Sequence, residues 1–157
     1  MKIGIGYDVH ELVQNRDLII GGIKIEYPKG LKGHSDGDVL IHSIIDALLG
    51  ALGREDIGTL FPDSNIKYKD IDSKLLLEEV YKLMEIESYK IGNLDCVIIA
   101  EKPKMRKNIS EMKLVISQIL KTSENNINIK ATTTEGLGFT GREEGIGAQC
   151  VVLLDNK

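Results

Sequence analysis

The stretch GYDVH at residues 6–10 sets Asp8 and His10 two positions apart in a run that alternates like a strand. Side chains at i and i+2 of a strand leave the same face, so this pair can offer a carboxylate and an imidazole to one ion, with Val9 opposed. The chain has three histidines, His10, His34 and His42, all in its first third. Around His42, the helical rotation of about 100° per residue aligns Asp38, His42, Asp46 and Gly50 in one narrow stripe. Leu40, Ile41, Ile44, Ile45, Leu48, Leu49 and Leu52 cover the broad opposite arc. A solvated helical face carries Lys, Arg and Glu. This stripe has none of them and brackets an imidazole with two carboxylates, which predicts that it faces a polar site.

Nitrogen and oxygen ligands on three side chains, with a fourth position open, are the pattern of a zinc that acts on a substrate; structural zinc is closed and cysteine-rich. Asp8, His10 and His42 meet that count. Asp46, one turn beyond His42, is expected to accept the other ring N–H and fix the tautomer. Each motif alone has a blander account, since Asp-x-His is more often an exposed strand edge. It is His42 on the facing stripe that shifts the balance.

Two glycine-rich segments, KGLKGHSDGD at 29–38 and TTTEGLGFTGREEGIG at 132–147, read as loops in which the backbone turns tightly or approaches a ligand. His34 and Ser35 stand at the start of the His42 helix, where a hydroxyl and unpaired N–H groups suit an anion, although Ser35 or Asp36 would also cap the helix. Thr132, Thr133 and Thr134 precede Glu135. Hydroxyls and amides suit phosphate oxygens, and the carboxylate suits a hydrated Mg²⁺.

These residues need a scaffold. Alternation predicts strands near residues 2–12, 18–25 with a break at Gly21-Gly22, 92–100, 127–133 and 147–154, the first two joined as a hairpin. Helical spacing predicts helices from Ser35-Asp36 to about Leu52, from Asp72 onward, and from Ser110 to about Lys121. The expected fold class is α+β: a two-layer sandwich of one mixed β-sheet with helices on one face, residues 1–157 forming a single domain. At 157 residues, 42% apolar and 28% charged, the composition is that of one globular domain. A net charge of −4 and the absence of Trp argue against nucleic acid, and no apolar run approaches a membrane span. A cytoplasmic location is expected. Cys96 and Cys150 lie in apolar runs without metal or redox spacing and read as buried thiols.

Taken together, GYDVH, HSDGDVLIH, REDIGTLFPD, IIAEKPKM and IKATTTEGLGFTGREEGI resemble the 2-C-methyl-D-erythritol 2,4-cyclodiphosphate synthase family of the non-mevalonate isoprenoid pathway, over essentially the whole chain. The resemblance implies a homotrimer with active sites between subunits. It also implies a metal-dependent phosphorus–oxygen lyase that converts 4-diphosphocytidyl-2-C-methyl-D-erythritol 2-phosphate to the cyclic diphosphate and CMP. By resemblance, zinc falls on Asp8, His10 and His42, with Asp8 and His10 also near the substrate. The methylerythritol phosphate would meet His34, Ser35, Asp56, Ile57, Gly58, Phe61, Pro62, Asp63, Ser64 and Asn65. The cytidine end would sit among Ala100, Glu101, Lys102, Pro103, Lys104, Met105 and Arg106, with Ala131, Thr132, Thr133 and Thr134. Glu135 would hold Mg²⁺ or Mn²⁺ on the diphosphate. Phe139 and Arg142 would line a central channel that accepts isoprenoid diphosphates. The family pattern expects an apolar residue where this chain has Arg106.

Such a reaction joins groups that are already phosphates, so it needs in-line positioning and charge neutralisation, not a Ser or Cys nucleophile. His34 and Thr133 are the expected donors to the transferring group. Two other readings share the ligands: a zinc hydrolase with Asp56 or Asp63 as base, and a trimeric metal-binding regulatory module.

Overall fold

The computed structural model describes residues 1–62 and 64–157. Strand β1 spans Lys2–Gln14, β2 Leu18–Ile20, β3 Ile23–Ile25 and β4 Lys29–Leu31. Helix α1 (Val39–Leu52) follows, then a single turn α2 (Ile57–Leu60) and helix α3 (Ser73–Ile86). The second half holds β5 (Tyr89–Ile99), α4 (Ile109–Ile119), β6 (Ile127–Thr132), a short turn of helix α5 (Gly138–Gly141) and β7 (Gly145–Asn156).

Five strands form one mixed sheet in the order β4-β1-β7-β5-β6, with β5 and β6 parallel and the other pairs antiparallel. The sheet matches the expected α+β class, but its first pairing does not. Residues 18–25 do not form a hairpin with β1. They fold on themselves as a separate two-stranded sheet, β2 with β3, turning at Gly21-Gly22 where both φ angles are positive. Strand β1 instead pairs with β7 from Lys2–Leu154 to Glu11–Gly145 and, at its far end, with the three-residue β4. The glycine-rich segments are also more regular than expected: the first contains β4, and the second contains α5 and the start of β7.

Alternation along β1 sorts its side chains. Gly4 and Gly6 are buried under α1, while Ile3, Ile5, Tyr7 and Val9 remain exposed on the opposite face, where Val151 of β7 joins them. The contact under α1 is backbone to backbone. A Cβ at Gly4 would stand 1.9 Å from the Ala47 carbonyl oxygen, so only glycine lets the helix descend this far. Helix α1 is consequently buried almost all round, with β1 and β7 beneath it and α3 beside it. Its C-terminus closes on Gly53 at φ 72°, a left-handed conformation suited to glycine.

The start of α1 departs from the expected anion site. Asp38, fully buried, is its cap: the carboxylate accepts the N–H groups of Ile41 (3.0 Å), Gly21 (2.9 Å) and Gly22 (2.6 Å). The helix N-terminus is therefore occupied by the chain's own carboxylate, which pins the β2–β3 turn to α1. Burial, with Asp36 nearby, pushes this carboxyl up to about 6 against the pull of its three donors.

Candidate metal centre and substrate cavities

The close approach of α1 to β1 brings His42 over the strand face that carries Asp8 and His10. Asp8 Oδ2 lies 2.8 Å from His10 Nε2 and 3.0 Å from His42 Nδ1, and the two imidazole nitrogens are 3.1 Å apart. Zinc bonds to such ligands are about 2.0–2.1 Å, so a tetrahedral site has ligand–ligand edges of about 3.3 Å. The observed triangle needs to open by only a few tenths of an ångström to hold an ion. Among the described residues this is the one cluster of three or more potential ligand side chains.

The remaining ring nitrogens test that fit. His10 Nδ1 lies 2.6 Å from the Lys32 carbonyl oxygen. A carbonyl only accepts, so Nδ1 carries the proton and Nε2 presents its lone pair to the cluster. His42 Nε2 lies 2.8 Å from Ser73 Oγ and 3.1 Å from Ser35 Oγ. Both imidazoles are thus held by their outer nitrogens with their inner ones converging, the donor set a divalent ion requires. Burial disfavours the Asp8 carboxylate, but in the ion-free chain the His10 and His42 imidazoles, either of which can then carry a proton toward it, outweigh that penalty and hold the carboxyl well below the usual range. Burial likewise opposes charging of His10, and Asp8 more than compensates.

The triad opens into a cavity of about 210 Å³, lined also by His34, Ser35, Ile57, Gly58, Phe61, Tyr68, Ile71 and Leu76. His34 Nε2 is buried and has no hydrogen-bond partner among the described residues, so it is available to something bound there. Phe61 packs edge-on against Tyr68 with ring centroids 5.3 Å apart, making one wall. A second cavity of about 170 Å³ lies between Ala100, Pro103, Lys104, Met105 and Arg106 on one side and Ala131, Thr132 and Thr133 on the other. The two share no lining residue. The register brings Asp8 and His10 of β1 and the segment that follows β5 to the same end of the sheet, since Val9 of β1 and Ile99 of β5 flank the same residue, Gly147 of β7.

The YgbB family profile matches residues 1–155. The chain belongs to the YgbB family. A Bacillus cytotoxicus relative named 2-C-methyl-D-erythritol 2,4-cyclodiphosphate synthase is 58% identical over 156 residues, 99% of each chain. Among solved structures, the Plasmodium falciparum IspF–CDP complex superposes with a TM-score of 0.88 at 37% identity, covering 99% of this chain and 96% of that one. The bifunctional IspDF of Campylobacter jejuni gives 0.95 at 43% identity, covering 99% of this chain, which corresponds to 42% of the bifunctional one.

In this YgbB family member, Asp8, His10, His42, His34, Ser35, Ile57, Gly58 and Phe61 come together around the first cavity. Asp56 is exposed and caps α2 by accepting the Thr59 N–H at 2.8 Å; with the Thr59 hydroxyl it is held below the ordinary carboxyl range. Asn65 caps the following turn through the Lys67 N–H, and Pro62 and Ser64 flank Asp63, which lies outside the described residues. Thr133 lines the second cavity, with Ala131 and Thr132, and His34 lines the first.

Asp46 is a correction. It does not serve His42; its carboxylate accepts the Ile57 N–H at 2.8 Å, and burial raises its pKa. It thereby ties α1 to the α2 segment beside the first cavity. Glu101 is also turned inward: its Oε1 accepts the N–H groups of Thr134 (3.0 Å) and Gly136 (3.2 Å), tethering the threonine loop to the 100–106 segment. Lys102 pairs with Glu143 at 3.1 Å, away from the cavity lining. Glu135, exposed, receives the Thr133 hydroxyl at 3.1 Å. Phe139 lies in a shallow hollow with Tyr7, Ile99 and Leu137, and Arg142 forms a two-point ion pair with Glu144. Arg106 is exposed at the rim, whereas Met105 fills the floor.

Lys32 and Ser73 were not among the expected site residues, and Asp36 was expected only as a helix cap. Ser73 starts α3, 31 positions from the imidazole it touches, and no periodicity links them. The acidic neighbour of a serine at a helix start gave the only signal available.

Proposed function

We propose that the chain catalyses the cyclodiphosphate synthase reaction of the non-mevalonate isoprenoid pathway. In it, the 2-phosphate of 4-diphosphocytidyl-2-C-methyl-D-erythritol 2-phosphate attacks the β-phosphorus. A new P–O–P bond closes the ring, the bond to the α-phosphate breaks, and CMP leaves. The observation that carries this reading is the convergence of Asp8, His10 and His42 on one point at the mouth of a cavity, in a chain whose full-length relatives bear the synthase name.

Zinc on those three ligands, with Mg²⁺ or Mn²⁺ on the diphosphate through Glu135, would supply Lewis-acid neutralisation of the transferring phosphoryl oxygens. The chain's residues do the rest. His34 offers its unpartnered Nε2 to a substrate oxygen in the first cavity. Phe61, Ile57 and Ile71 give that cavity an apolar wall that suits the methyl-bearing carbon chain and limits water. The second cavity suits the cytidine end, with Lys104 for phosphate and Thr133 beside Glu135 as a further donor. No nucleophilic side chain is required.

The homotrimer fits the same reading. A substrate with a sugar phosphate at one end and a nucleoside at the other needs both cavities, and they share no residue. Assembly around the uncovered row of Ile3, Ile5, Tyr7 and Val9 would bury it and set the second cavity of one subunit against the first of its neighbour. Phe139 and Arg142 would then approach the assembly axis, where an isoprenoid diphosphate would find an apolar hollow and a cation. The whole chain acts as one domain, a reading supported by its one contiguous core.

The test is incubation of the chain with the cytidine substrate, Zn²⁺ and Mg²⁺, followed by phosphorus NMR. A cyclic diphosphate with equimolar CMP is expected. An open-chain phosphate product would overturn ring closure in favour of hydrolysis.

A further inference from the structure

We propose that Asp36 and Ser73 are positioning residues of the metal centre: Asp36, acting through the Ser73 hydroxyl, holds His42 with its proton on Nε2 so that the Nδ1 lone pair faces Asp8 and His10. The inference rests on the zinc reading above and concerns residues outside the ligand set.

A carboxylate only accepts, and Asp36 is held at three points. Its Oδ2 takes the Ser73 N–H at 2.9 Å, and its Oδ1 takes the Asp38 N–H at 3.1 Å and the Ser73 hydroxyl at 2.5 Å. The single hydroxyl hydrogen of Ser73 is thereby committed to Asp36. What Ser73 can offer His42 Nε2, 2.8 Å away, is a lone pair, so the imidazole must bring the hydrogen. Ser35 Oγ, 3.1 Å from the same nitrogen, accepts the Gly37 N–H at 3.4 Å, and its freely rotating hydroxyl adapts to whichever proton Nε2 carries. Ser73 is fully buried and His42 and Ser35 are each 8% exposed, so water does not readily replace these contacts. Without this arrangement His42 would gain by turning an Nδ1–H toward Asp8 Oδ2, 3.0 Å away, and that proton would occupy the position an ion needs. The chain Asp36–Ser73–His42 opposes that choice and makes the imidazole a better ligand, the effect expected of a carboxylate acting behind a metal-bound histidine. It also explains why the sharp entry to α3 is held by two acids, Asp72 capping at Lys74 N and Asp36 reaching across from the α1 approach.

The test is zinc affinity of the full chain by chelator competition for wild type, Ser73→Ala, Asp36→Asn and the double variant. Outer partners of ligating histidines typically contribute 10- to 100-fold in metal affinity, so each single variant should bind zinc about that much more weakly. Because Asp36 acts through Ser73, the double variant should be no weaker than Ser73→Ala alone; a purely structural role for Asp36 would add to it. In zinc-loaded protein labelled with ¹⁵N-histidine, His42 should show a protonated, slowly exchanging Nε2 that exchanges faster in Ser73→Ala. With three histidines in the chain, the assignment is tractable. Unchanged affinity in both single variants, or full additivity in the double, overturns the proposal while leaving the zinc reading intact. Failure of wild type to bind zinc overturns the zinc reading itself. Should Ser73→Ala fail to fold, Asp36→Asn decides alone, since it conserves volume and its affinity must fall.

Discussion

Gly6 lies so close beneath Ser43 that a Cβ at residue 6 would stand 2.0 Å from the Ser43 carbonyl oxygen and 2.7 Å from the Ala47 nitrogen. Both obstacles are helix backbone, which cannot rotate aside. Gly6→Ala should therefore lift α1 from β1, destabilise the fold by about 1–3 kcal/mol or more, and separate His42 from Asp8. Gly50→Ala is the counterpart, because its Cβ would meet only the Ile5 carbonyl oxygen at an ordinary 3.8 Å. Replacing this exposed helical glycine should gain about 0.5–1 kcal/mol with metal binding unchanged. Chemical denaturation and zinc titration of the two variants check the contrast; a tolerant residue 6 would refute the close-contact argument.

Two of the three cavity histidines, His42 and His34, should separate metal binding from turnover. His42→Ala removes a ligand and should lose zinc and activity together. His34→Ala leaves the triad intact and should keep stoichiometric zinc while kcat falls about 100-fold, the usual cost of deleting a preorganised donor. Elemental analysis alongside steady-state kinetics makes the comparison, and normal turnover in His34→Ala would remove it from the mechanism.

Asp46 acts on α2, so Asp46→Ala should leave zinc affinity unaltered and raise KM several-fold by freeing the Ile57 N–H. Asp46→Asn retains an acceptor and should behave nearly as wild type. A loss of zinc in Asp46→Ala would instead restore the partnership with His42 that the sequence suggested.

Asp38 gives a pH signature. Burial and Asp36 raise its carboxyl from 3.8 to about 6, so between those values the folded chain holds a proton that the unfolded chain releases. Stability from this group therefore rises as pH falls from about 6 to 4 and is lost above. The displacement corresponds to about 3 kcal/mol at most. Denaturation of metal-stripped wild type and Asp38→Asn across pH 4–7 should give curves whose difference changes in that window. Parallel curves would mean that the three N–H donors fully offset the burial.

The ligand triad was legible because two periodicities intersect on it: the alternation of a strand at Asp8 and His10, and the helical turn at His42. The same stripe misled at its ends. Asp38 and Asp46 are spent on backbone N–H groups of Gly21, Gly22, Ile41 and Ile57, and no side-chain pattern reveals where a backbone donor will arrive. Strand β4 was invisible for a different reason, since three residues are too few to alternate. The β2–β3 pairing was misjudged because Gly21-Gly22 permits a full reversal where only a break was expected. Ser73 reaches His42 through tertiary packing of α3 on α1, which spacing along the chain cannot express.

Strand β1 wears two faces in strict alternation: Gly4, Gly6, Asp8 and His10 inward, Ile3, Ile5, Tyr7 and Val9 outward. A slip of one residue against β7 would swap them wholesale, driving bulky aliphatics into the helix backbone and casting the ligands into solvent. The glycines thus act as a registration lock, and misalignment is punished by steric collision before chemistry is ever at stake.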